Sequence, residues 1–146
     1  MSRASLVELT NLCVICDGSR VLVQDKIGCG VVFPGGHVEP GESMLASVIR
    51  EMREETGLTI EHPTLCGIKD WMREDGTRFI VALYRVDRFT GELNSSEEGR
   101  MFWIEREEFA KTNTIWGMKD VLRVCDEAEY SEMFYSEEKE GWVLLG

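Results

Sequence analysis

The chain has 146 residues, with 27 acidic against 16 basic side chains, a net charge of −11 and 43% hydrophobic residues. That length suits one domain, residues 1–146, whose core buries about two thirds of the unfolded surface. The acidity opposes a nucleic-acid polymer or an anionic membrane as partner, and the chain shows neither a signal-peptide pattern nor an 18-residue apolar run.

Residues 5–16 form a β-rich run, and Asp17-Gly18 turns it into a returning strand over residues 21–25, because Asp-Gly accepts the positive φ of a tight hairpin. Cys13 and Cys16 lie three apart on the first strand, where side chains alternate, so they point to opposite faces. Two buried free thiols are therefore expected there rather than a zinc or redox pair. With Cys29, Cys66 and Cys125 they make five cysteines, odd in number and irregularly spaced, which suits a reducing cytoplasm. Residues 26–30 form a loop, and residues 31–33 a short buried strand that delivers the Pro34-Gly35-Gly36 turn.

An amphipathic helix follows, with Ser43 as N-cap and Gly57 as the left-handed residue past its end, after which Leu58 folds back. Leu45, Val48, Ile49, Met52 and Thr56 fall on one arc, and Glu51, Glu54 and Glu55 on the next. Carboxylates at these spacings repel by ~0.5–1 kcal/mol in total. Arg50 reaches Glu54 at i, i+4, but no Lys or Arg stands four residues from Glu51 or Glu55. A hard divalent cation suits such a face: Mg²⁺ takes oxygen ligands and is held by one or two carboxylates together with substrate phosphates. The glycines before the helix allow a main-chain carbonyl to approach the ion. A solvated acidic face is the alternative reading of the helix taken alone.

Residues 59–71 and 78–89 read as a second antiparallel pair joined through residues 73–77. The latter strand is apolar on both faces and is expected at the sheet centre. Residues 90–100 are polar and loop-like, and residues 101–104 form a last core strand. A short helix over 105–111 precedes a longer one over 117–128, where Met118, Val121, Leu122 and Cys125 share a face. Residues 130–146 are ambiguous, a terminal hairpin being one arrangement. The order suggests an α+β fold, a mixed β-sheet between helices.

The stretch from Gly36 to Leu58 carries nine specified residues over 23 positions: Gly36, Glu42, Arg50-Glu51-Met52, Glu54-Glu55 and Gly57-Leu58. This pattern resembles the Nudix box, and the extension from Phe33 to Ser43 is similar to the MutT-like branch. The resemblance implies a Nudix-type α/β/α sandwich and metal-dependent hydrolysis of a nucleoside triphosphate to monophosphate and pyrophosphate, with Mg²⁺ or Mn²⁺ as cofactor. It favours oxidised substrates such as 8-oxo-dGTP, hence an 8-oxo-dGTP diphosphatase acting in DNA repair. ADP-ribose or a dinucleoside polyphosphate is the alternative substrate, and a silent binding module the non-enzyme alternative.

By the same resemblance, Glu54, Glu55 and the Gly36 carbonyl carry the main metal contacts, while Glu51 binds a further metal or helps take a proton. Arg50 orients a glutamate, and Glu42 pairs with a basic residue. Glu97, with Glu98 beside it, is the expected outlying ligand or base before Trp103; a solvated loop pair is the alternative. Asn113 lies where such enzymes carry a base-reading amide, and Trp116 where a ring stacks on the base. A turn role for Asn113 and core packing for Trp116 stay open, as do core and pocket for Trp71. His37 and His62 read as ordinary loop residues.

Overall fold

The Asp17-Gly18 hairpin forms in the computed structural model, which describes residues 2–94 and 100–146. Strand β1 (Val7–Asp17) pairs antiparallel with β2 (Arg20–Lys26), and Gly18 turns the chain at φ +59°. Strand β3 (Gly30–Val32) lies on the edge of β2. The expected Pro34-Gly35-Gly36 turn is instead the start of a strand, β4 (Gly35–His37), antiparallel to β1 with Gly36 opposite Asn11. The reason is steric. A Cβ at Gly35 would collide with the Asn11 carbonyl, so a missing side chain permits a close approach of backbones here.

Helix α1 (Met44–Thr56) is bounded as its sequence indicates. Ser43 Oγ accepts from Ala46 N at 3.0 Å, and Gly57, at φ +83°, donates its N–H to Arg53 O. Its buried face is rotated from the expected arc. Leu45 is 47% exposed, whereas Ser47 and Glu51 are buried alongside Val48, Met52 and Thr56. Asn11 from β1 supplies the cause: its amide donates to Ser47 Oγ at 2.9 Å and draws the polar side of the helix onto the sheet.

The expected strand over residues 59–71 is two strands, β5 (Leu58–Ile60) and β6 (Thr64–Met72). His62 at φ +55° and Pro63, which has no N–H to give a ladder, separate them. β5 pairs in a small separate sheet with β8 (Phe89–Gly91). Strand β7 (Arg78–Val86) is central as expected, antiparallel to β6 and parallel to β1. Strand β9 (Arg100–Glu105) pairs with β2, and after α2 (Arg106–Lys111) and α3 (Met118–Asp126) the chain ends in the hairpin β10 (Glu132–Ser136) and β11 (Gly141–Leu145). Residues 101–104 are thus not the last core strand, because β10 joins the sheet parallel to β6.

The sheet runs β11-β10-β6-β7-β1-β2-β3, with β4 on β1 and β9 on β2. On one side α1 packs Val48 and Met52 with Cys13, Ile15, Ala82 and Tyr84. On the other, α2 and α3 pack Phe109, Met118, Val121 and Val124 with Val14, Cys16, Val81 and Leu83. The fold is accordingly α+β, a sandwich of helices around a mixed sheet, and Cys13 and Cys16 are free thiols buried on its opposite faces. No helix among the described residues is long and apolar enough to cross a membrane.

Candidate active site

Arg50 organises the acidic end of α1. Its guanidinium donates to Glu42 through Nε (2.6 Å) and Nη2 (2.9 Å), to Glu51 Oε1 (3.0 Å) and Glu54 Oε2 (3.1 Å) through Nη1, and to the His37 carbonyl through Nη2 (3.0 Å). One planar fork thus ties helix, loop and β4 together, which a lysine's point charge would not do. The Arg50 guanidinium, helped by the Glu39 N–H, holds the Glu42 carboxyl down at about 2. Repulsion within the glutamate cluster is therefore offset in part by a residue inside it. The spacing rule missed this for Glu51 because adjacent helical residues do not normally face each other.

Glu51 is the buried member of the cluster, and burial pushes its carboxyl up against the opposing pull of Arg50. Its carboxylate occupies the space a side chain at Gly36 would fill: a Cβ there would overlap the carboxylate itself. Asn11 completes the cradle, accepting the Gly36 N–H on Oδ1 at 3.3 Å while its amide holds Ser47. Glu54 stands on the exposed side of the helix and Glu55 is half-buried. These are hard oxygen donors, the type Mg²⁺ prefers. Among the described residues no three His, Cys, Asp or Glu side chains converge tightly enough to hold a metal ion by themselves.

Next to this cradle opens a cavity of about 700 Å³. Thr10, Asn11 and Gly35 to His37 form one end, and Trp71, Phe79, Trp116, Tyr135 and Trp142 supply aromatic walls. Trp71 stacks on Phe79 at 4.4 Å and meets the edge of Trp142 at 5.8 Å. Lys69 lies between the two tryptophans, its Nζ 5.5 Å from the Trp71 ring centre and 4.9 Å from that of Trp142, and it donates to the Trp116 carbonyl. Burial pushes its ammonium down to about 8.

The structure brings Gly36, Arg50, Glu51 and Glu54 together, with Glu55 next to Glu54 on the same helix. Trp116 lines the cavity at φ +59° with 61% of its surface exposed, so it is not a core residue, and Trp71 is a wall. Asn113 does not line the cavity; its amide donates to the Cys29 carbonyl at 3.3 Å and its own carbonyl accepts from Val31 N. Glu97 and Glu98 lie outside the described residues. His37 is a β4 residue lining the cavity whose ring contacts Glu8 Oε2 at 2.9 Å, while His62 is a loop residue between β5 and β6, as expected. Asn11, Lys69, Phe79, Tyr135 and Trp142 were not singled out from sequence. The available signals were an amide and a Lys69-Asp70 pair interrupting apolar strands.

A model of the NUDIX domain matches residues 8–125. The chain is 39% identical over 104 residues to the Nudix hydrolase YvcI of Bacillus subtilis, a match spanning 67% of this chain and 65% of that protein. It is 35% identical over 85 residues to the nucleoside diphosphate-linked moiety X motif 6 protein of Mus musculus, covering 55% of this chain and 27% of that protein. The chain thus spans less than two thirds of the length of both relatives. Among solved structures, the MutT protein from Bacillus halodurans superposes over 95% of each chain with a TM-score of 0.74 and 26% identity.

Proposed function

The chain belongs to the Nudix domain family, and from that premise we propose that it hydrolyses a nucleoside triphosphate to the monophosphate and pyrophosphate, with Mg²⁺ or Mn²⁺ as cofactor, in a reducing cytoplasm. The observation that carries this reading is the aromatic-walled cavity lined in part by Gly35 to His37, the strand whose Gly36 packs against the buried Glu51 carboxylate. A base stacks in the aromatic part, where an indole accepts any π-face, and the phosphates reach the acidic end. When bound, the divalent cation neutralises phosphate oxygens and lowers the pKa of the attacking water. Glu51, Glu54, Glu55 and the Gly36 carbonyl would hold it, with Glu97 as a further ligand. Glu51, Glu54 and Glu97 are the carboxylates assigned to taking the water's proton. Arg50 fixes Glu51 and Glu54 by charge-assisted hydrogen bonds.

Within that class the favoured substrates are oxidised purine nucleotides such as 8-oxo-dGTP, a nucleotide-sanitising role in DNA repair. The likeness to a MutT protein supports it. Base contact then falls to Trp116 and the other cavity walls, and Asn113 acts by tethering the Cys29 loop through its side-chain amide. A second reading, another nucleoside diphosphate derivative such as ADP-ribose, draws on the likeness to a protein named for nucleoside diphosphate-linked moieties.

The test is a nucleotide panel with Mg²⁺, products separated by chromatography. Release of monophosphate and pyrophosphate, with kcat/KM for 8-oxo-dGTP above that for dGTP, is expected. Equal values would remove the sanitising role, and a preference for ADP-ribose would favour the second reading. Binding without turnover of any nucleotide would make the chain a binding module.

A further inference from the structure

We propose that Lys69 is the specificity-determining residue of the cavity: its ammonium reads the six-position carbonyl of a purine stacked among the tryptophans and so selects 6-oxopurine over 6-aminopurine nucleotides. This rests on the reading that the cavity takes the base, and it goes beyond that reading by naming the class of base and the group that chooses it.

Lys69 is 3% exposed, on a strand whose neighbouring side chains are mostly apolar. A buried ammonium is costly to keep unless its protons and charge find partners. The protein supplies one acceptor, the Trp116 carbonyl, and two ring faces, those of Trp71 and Trp142. An ammonium carries three donors and no acceptor. The rings take up its charge but leave hydrogen-bonding capacity on the cavity side, since Lys69 is itself a lining residue. Among the described residues it is the one lysine or arginine on the cavity wall, where the other ionisable groups are His37, Tyr135 and Glu137.

What such a group can recognise follows from its chemistry. Presented with the carbonyl at position six of hypoxanthine or guanine, it makes a charge-assisted hydrogen bond. Presented with the amino group of adenine, donor meets donor. A hydrogen bond to a charged group is worth at least ~10-fold in binding, and a site left with an unpaired buried polar group discriminates further. Guanine and 8-oxoguanine share the six-position carbonyl, so Lys69 sets the purine class and leaves discrimination between those two to other walls. A purely structural Lys69, needed only to tether Trp116, would affect all bases alike. The ratio between bases therefore separates the two roles.

The experiment compares dITP with dATP, whose bases differ at the six position and its adjoining N1 proton. It measures kcat/KM for each and, separately, binding of dIMP and dAMP by quenching of tryptophan fluorescence. Wild type, Lys69→Met and Lys69→Gln are assayed. Methionine keeps length without donors, and glutamine keeps a donor for the Trp116 carbonyl while offering an acceptor to the base. The wild type is expected to prefer the hypoxanthine nucleotide at least ~10-fold, and both variants to bring the ratio within about threefold. A wild type without that preference, or a folded variant that keeps it, overturns the assignment. Should neither variant fold, the wild-type ratio decides. If no triphosphate is turned over yet dIMP binds better than dAMP in a Lys69-dependent way, the hydrolase reading fails and this inference stands. Turnover with no base preference gives the reverse.

Discussion

Gly36→Ala tests the closest contact in the candidate site. The new Cβ would overlap the Glu51 carboxylate, which can swing away because it is the far end of a side chain. Swinging breaks its 3.0 Å bond to Arg50 and displaces a buried charge. Overpacking of this kind costs about 1–3 kcal/mol. Against it stands a gain of about 0.4–1 kcal/mol, because alanine restricts the unfolded chain more than glycine does. A net loss of about 1–2 kcal/mol is expected, and at about 2–4 °C per kcal/mol for a chain of this size Tm falls by ~2–8 °C. The decisive comparison is with Glu51→Ala, which empties the space. In that background Gly36→Ala should cost nothing or stabilise slightly, giving a coupling energy of about 1–3 kcal/mol between the two positions. Urea unfolding of the four proteins measures it. Equal costs of Gly36→Ala with and without Glu51 would show that the glycine is required for something other than seating that carboxylate.

Glu54→Gln and Glu55→Gln keep shape and helix propensity, and each should lower kcat by at least ~10² with the fold intact by circular dichroism; near-native kcat in either would remove that residue from the ligand set. Activity should vanish with chelator and return with excess Mg²⁺ or Mn²⁺, and the metal should raise Tm by mass action; full turnover in a stripped, chelated sample would refute metal dependence. At the other end of the sheet, a hydrogen bond with the buried Asp70 carboxyl pushes the Glu132 carboxyl up from 4.5 to about 7. A group held protonated by the fold contributes stability that is complete below its unfolded value and is lost as pH rises through its folded one. Tm should therefore fall between pH 4.5 and 7, and Glu132→Gln should flatten that slope; an unchanged slope in the variant would assign the effect elsewhere.

The order of elements was legible wherever the signal was local. Asp17-Gly18, the Ser43 cap and the Gly57 stop each act within a few residues, and each forms as read. The errors lie where a distant partner decides. Residues 34–36 read as a turn because two glycines usually make one, yet β1 captures residues 35–37 as a strand. Leu45 is apolar and on the expected arc, but Asn11, 34 positions earlier in the chain, holds Ser47 and turns the helix away from it. The terminal hairpin could not be settled from residues 130–146 alone, since its place depends on parallel pairing with β6.

The same distinction divides the candidate site itself. Gly36, Arg50, Glu51, Glu54 and Glu55 sit on one strand and the helix after it, so their spacing alone suggests a common task. The cavity beside them is assembled from β1, β4, β6, β7, the turn before α3 and the terminal hairpin, and no short stretch of sequence contains its outline. Lys69 shows why inspection of sequence passes over such residues. In isolation, a lysine in a nine-residue strand suggests a solvent-facing position, yet Lys69 is buried, its ammonium held beside Trp71 of the same strand and by Trp116 and Trp142 from distant parts of the chain. Chemistry that depends on a cluster of like charges must be built on one rigid element to hold its spacing, and so it leaves a compact pattern. Selection of a base needs walls on several sides of a flat ring, and those walls come from wherever the fold can supply them. A family pattern can therefore be unmistakable in a chain whose cavity, with Lys69 among its tryptophans, is visible only in three dimensions.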